Sequence, residues 1–98
     1  MPLEKNLDEK IRRYIKKTTG IWGFKIHGNI FMKAGLPDWI CVFKGRFVAF
    51  ECKLPGKPTT KIQDYIHKKI RGAGGVVERI DTMAGFLELL ERVETEHR

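Results

Sequence analysis

Asp38, Glu51 and Lys53 are the side chains of this 98-residue chain whose types and spacing suit them to chemistry. Asp38 closes the run GLPD, twelve residues follow, and Glu51 and Lys53 stand in the run FVAFECK. A charge in an apolar run is costly to bury unless it is paired or bound to a cation. Two carboxylates held together repel, and one pKa rises unless a cation joins them. Their hard oxygens select Mg²⁺ or Mn²⁺, ions that keep several waters and need only one or two protein carboxylates. Such an ion polarises a phosphodiester and acidifies a water. A neighbouring lysine orients or deprotonates that water, or neutralises charge on the phosphorus centre. An isolated Glu-x-Lys is most often a surface ladder, and an aspartate at a loop end is ordinary. The two together at hairpin distance, in a basic chain, are less often accidental.

The surrounding pattern supplies that hairpin. WICVF, 39–43, reads as a continuous apolar strand, KGR, 44–46, as a tight turn, and FVAFECK, 47–53, as the return strand. Strand alternation puts Val48, Phe50 and Cys52 on one face and Phe47, Ala49, Glu51 and Lys53 on the other. The start of the first strand meets the end of the second, so Asp38 and Glu51 are expected within a few ångströms of each other.

Residues 3–17 read as a helix, with Leu3, Leu7, Ile11, Tyr14 and Ile15 inside an arc of roughly 120°. Lys5, Arg12, Arg13, Lys16 and Lys17 fall outside it, and Glu4 projects into it. Glu4 is either a partner of the helix dipole or a residue facing a site. Gly20 stops this helix. IWGFKI, 21–26, is a short strand, and 27–37 a loop able to carry function. LPGKPTT, 54–60, offers threonine caps to a second helix, 61–71, with Ile62, Tyr65, Ile66 and Ile70 on one side. Strand 76–80 and helix 83–93, capped by Asp81 or Thr82, complete the order α-β-β-β-α-β-α. The step from strand 47–53 to strand 76–80 is long enough for a parallel crossover.

Several residues carry two readings. Lys25 and His27 either contact phosphate or, for Lys25, form a solvated strand end. Trp22, Phe24 and Phe31 either stack on bases or, the favoured reading, pack in the core. Lys69 falls in the apolar arc of the second helix, where its stem can snorkel. Gly35 permits close approach of backbone to a phosphate, or is an ordinary turn before Pro37.

The net charge of +7 favours a polyanionic partner, most simply nucleic acid. Cys41 and Cys52 lie in apolar runs without CxxC spacing, as buried free thiols of a reducing compartment do. No run approaches a membrane helix, and the N-terminus has no signal-peptide core, so an intracellular protein of one domain, 1–98, is expected.

The spacing of PD and ECK resembles the PD-(D/E)XK nuclease superfamily. The wider pattern resembles its VRR-NUC branch, the virus-type replication-repair nucleases, in the small stand-alone phage form. The matching pieces are LEK at 3–5, KIHG at 25–28, AGLPD at 34–38, GRFVAFECK at 45–53, PGKPTTKIQ at 55–63 and GAGG at 72–75. The resemblance implies a restriction-endonuclease-like α/β core, a mixed four-stranded sheet flanked by helices. It implies Asp38 and Glu51 as metal ligands, the Cys52 backbone carbonyl completing the shell, and Lys53 as the catalytic lysine. Glu4 would be the helix-one acid, a second ligand or water-held contact, and Gln63 the motif glutamine near the site. It implies a homodimer acting with Mg²⁺ or Mn²⁺ on branched DNA such as four-way junctions, in a phage or its host's cytoplasm. A nucleic-acid-binding module without catalysis, or an accessory subunit of a replication or recombination assembly, is the alternative.

Overall fold

The computed structural model describes residues 3–28 and 33–96, with side chains from Asn6 onward. The elements are α1 (Leu3–Lys17), β1 (Ile21–Lys25), β2 (Trp39–Phe43), β3 (Arg46–Cys52), α2 (Lys61–Gly72), β4 (Val76–Ile80) and α3 (Met83–Glu96). The four strands form one mixed sheet in the order β1-β2-β3-β4. β1, β2 and β3 run antiparallel in succession, and β4 joins β3 parallel after the α2 crossover. The expected α/β architecture and element order are those observed.

The hairpin between β2 and β3 closes at Phe43↔Arg46, so only Lys44 and Gly45 form its loop. Both have positive φ, 49° and 84°, as a two-residue turn matched to strand twist requires. The strand therefore begins one residue earlier than the run FVAFECK.

The sheet is covered unequally. On one face Val48, Phe50 and Cys52 of β3 pack with Trp39, Cys41 and Phe43 of β2, and with Ile11 of α1 and Phe86 and Leu89 of α3. Phe86 meets Phe50 and Tyr14 edge-on, with ring centroids 5.3 and 5.4 Å apart. On the other face α2 packs on β4 and reaches β3 through His67 and Glu51; Ile66, Ala49 and Val77 are buried there. Its reach ends there: Trp22 is 66% exposed and Phe24 48%, and Val42 and Phe47 are exposed too. Core packing, favoured for Trp22 and Phe24, is thus corrected. They alternate away from α1, and among the described residues no helix covers that half of the sheet. Phe31 lies outside the described residues. Ile62 and Tyr65 of α2 are also exposed, so the buried side of this helix is Ile66 and His67 rather than the full apolar stripe.

Thr60 caps α2 through a capping box: its hydroxyl accepts from Gln63 N, and the Gln63 side chain accepts from Thr60 N at 2.9 Å. Thr82 accepts from Gly85 N at 2.9 Å at the start of α3. Both cysteines are buried free thiols. No helix among the described residues is long and apolar enough to cross a membrane.

Candidate active site

The register Trp39↔Phe50 sets Asp38 opposite Glu51 at the sheet's end. The two residues interlock. Asp38 N donates to Glu51 Oε1 at 3.2 Å, and Cys52 N donates to Asp38 Oδ2 at 2.9 Å. Glu51 Oε2 meets His67 Nε2 of α2 at 3.1 Å. Sequence alternation sends Glu51 toward α2, and α2 covers it completely: its exposure is 0%, and that of His67 is 3%. Asp38 and Lys53 remain half-buried at the rim.

The electrostatics follow from this arrangement. Burial, then the charge of Asp38, push the Glu51 carboxyl up to about 7; the Asp38 N–H and the Lys53 ammonium pull the other way. Burial and then Arg71 push His67 below its usual value, with Lys53 acting in the same direction. A carboxyl so placed gains from any cation that arrives beside it. Lys53 is held at the site by the strand itself, its N–H donating to Ile80 O at 2.9 Å. The loop that follows is pinned by Arg79, which donates to Lys57 O at 2.6 Å and Leu54 O at 3.0 Å, and pairs with Asp81 at 3.0 Å.

A second polar cluster lies on the opposite face of the sheet, under α1. Asp8, 7% exposed, accepts from Trp39 Nε1 at 2.9 Å and is ion-paired with Lys25. Burial works against the Lys25 ammonium, but the hydrogen bond and charge of Asp8, with Asp38 and Cys52 adding to them, outweigh it and raise its pKa. Lys25 is therefore no solvated strand end: it closes the gap between α1 and the loop carrying Asp38. Burial, followed by Asp8 and Asp38, raises the Cys52 thiol well above its ordinary value, so that sulfur stays neutral.

Sequence reasoning named Asp38, Glu51, Cys52 and Lys53, and the fold brings them together. Gln63 is placed in the capping box of α2. The side chain of Glu4 lies outside the described residues. His27 is exposed, and the Lys69 ammonium lies 5.4 Å from the Tyr65 ring centroid on the outer side of α2. Gly35 has φ +81°, and a Cβ there would stand 2.7 Å from Ile62 O. Its close approach is thus to the start of α2. Asp8 and His67 went unnamed. Asp8 follows Glu4 by one helical turn, and His67 follows Gln63 by one, spacings that align each pair on a helix side.

Among the described residues no group of three or more His, Cys, Asp or Glu side chains is arranged to hold a metal ion. The donors at this site are two carboxylates, with Glu51 strained by its neighbour's charge. Carboxylate oxygens are the donor type that a hydrated Mg²⁺ or Mn²⁺ takes, and the one nitrogen donor beside them, His67 Nε2, is engaged with Glu51. No protein-family model matches the chain, and no curated protein matches it.

Proposed function

We propose that this chain is a metal-dependent endodeoxyribonuclease hydrolysing phosphodiester bonds, with Asp38, Glu51 and Lys53 at its centre. The observation that carries the reading is the interlocked pair: a carboxylate just before β2 and one on the facing β3, the latter fully buried and pushed up to about 7, with a lysine two residues on. A purely structural ladder has no use for a buried carboxyl opposed by another.

Asp38 and Glu51 would hold Mg²⁺ or Mn²⁺, with the Cys52 carbonyl as the resemblance implies. The bound cation supplies charge neutralisation at the phosphate and a water acidic enough to attack at neutral pH. The chain's own groups orient and stabilise. Asp38 N and His67 Nε2 fix the two oxygens of Glu51, and Cys52 N fixes Oδ2 of Asp38. Lys53 brings a positive charge beside Glu51, where it can donate to a phosphate oxygen as negative charge builds. The excess of basic residues draws in the polyanion.

Branched DNA as the substrate, a homodimer as the active form and a phage or host-cytoplasm setting rest on the family resemblance. The exposed apolar residues Trp22, Phe24 and Val42 support pairing of two copies through the uncovered sheet face. The test is incubation with single-stranded, linear duplex, flap and four-way-junction DNA in chelator, Mg²⁺ or Mn²⁺. Cation-dependent internal cuts, with the junction preferred, are expected. Binding without cutting under every condition would leave a non-catalytic module.

A further inference from the structure

We infer that the cleft between α1 and β1 is a binding subsite for a backbone phosphate of the nucleic acid, next to the candidate active site but separate from it. This deepens the nuclease reading by naming where the flanking strand is held. The cleft, about 360 Å³, is lined by Arg12 and Lys16 of α1 and by Lys25 and His27 at the end of β1. No acidic side chain lines it among the described residues. Gly23 contributes no side chain to its wall, and Trp39 forms its base.

Two features distinguish the cleft from a solvated basic surface. Two of its basic groups are fixed in place. The Arg12 guanidinium sits 5.4 Å from the Trp39 ring centroid, and Lys25 is tied to Asp8, which also holds the Trp39 indole N–H. A pre-positioned guanidinium loses less entropy on meeting a phosphate than a free one does, while the Lys25–Asp8 pair keeps the wall rigid. The cleft also adjoins the loop end that carries Asp38. Lys25 lies within electrostatic reach of Asp38, and Ile26 N donates to Asp38 O at 2.7 Å. A strand with one phosphate at Asp38 has the next part of its backbone against this wall. A free anion has no such second anchor, so a polymer is the favoured ligand.

Arg13 and Lys17 provide an internal control, since they belong to the same helix, carry the same charge and do not line the cleft. The experiment is titration of a fluorescent single-stranded oligonucleotide, in chelator, at several salt concentrations. Arg12→Ala/Lys16→Ala is expected to weaken binding at least about tenfold and to flatten the log–log salt slope by roughly 1 to 1.5. Arg13→Ala/Lys17→Ala, with the same net charge, is expected to change affinity less than about threefold. Equal losses in the two pairs, or no loss in the first, would overturn the proposal. Because Arg12 packs on Trp39, Lys16→Glu and Lys17→Glu give a second comparison at exposed positions, with the larger loss expected at Lys16. Inorganic phosphate at equal phosphate concentration should not displace the oligonucleotide; displacement would make the cleft a site for free anions. Binding in chelator needs no cleavage. A cleft that binds in a protein that cuts nothing sinks the nuclease reading alone, and a nuclease indifferent to the Arg12/Lys16 pair sinks the cleft alone.

Discussion

Asp8 and Glu51 are buried carboxylates on opposite faces of one sheet, and their surroundings differ in kind. Asp8 has a cation and an indole N–H as partners, Lys25 and Trp39. Glu51 has a backbone N–H, an imidazole whose pKa burial and then Arg71 lower, and a second carboxylate opposite it. The first arrangement balances its charge within the protein and serves the fold, tying α1 to the end of β1 and the start of β2. The second leaves charge unbalanced, and Lys53 at the rim offsets only part of it. Burial alone therefore does not separate the two acids; the absence of a matching cation at Glu51 does, and the proposed function rests on that difference.

The sharpest way to break this contrast is by activity. Asp38→Asn and Lys53→Ala are each expected to lower cleavage by about 10³-fold or more while the protein stays folded, because both groups sit at the rim. Asp8→Asn, compared per folded molecule, should stay within about tenfold of the wild type. Gel assays of cut DNA beside circular dichroism check both, and equal losses in the two clusters would erase the distinction.

Glu51→Gln probes the imbalance itself. The folded pKa of Glu51 is raised from 4.5 to about 7. Between those values the folded state keeps a proton that the unfolded chain has lost, so in chelator this group makes stability fall as pH rises through the window. His67, lowered from 6.5, acts in the opposite sense just below that value. Glutamine cannot ionise, so the advantage of Glu51→Gln over wild type should grow from pH 4.5 to pH 7 and approach about 3 kcal/mol as an upper bound. Urea unfolding across that range measures it. A difference that does not change with pH would remove the strain from Glu51.

Smaller effects belong to the structural cluster and the cap. Asp8→Asn leaves the part-buried Lys25 without its anion and should cost about 1–3 kcal/mol of unfolding free energy. Gln63→Ala removes half of the capping box, at about 0.5–1 kcal/mol, with cleavage unchanged once folding is allowed for. A tenfold loss of cleavage in folded Gln63→Ala would give that residue the site role the family resemblance implies.

What the sequence made legible is what depends on short-range periodicity. Alternation in FVAFECK placed Glu51 away from Val48 and Phe50, and the Lys44–Gly45 turn brought Asp38 opposite it. What stayed hidden depends on which element lies over which face. Asp8 sits just beyond the apolar arc of α1, and only the arrival of Trp39 and Lys25 makes its position an inward one. His67 reads as a polar residue among lysines until α2 is laid over β3. The same limit governed Trp22 and Phe24: alternation assigns them a common face, but not that α2 stops short of it.

The central claim, that Asp38 and Glu51 share a divalent cation, is tested most directly by calorimetric titration of Mn²⁺ into DNA-free protein at neutral pH. The wild type and Asp8→Asn are expected to show the same saturable binding, and Asp38→Asn and Glu51→Gln to lose it. Binding that survives both substitutions, or that disappears with Asp8→Asn in a folded protein, would contradict the assignment.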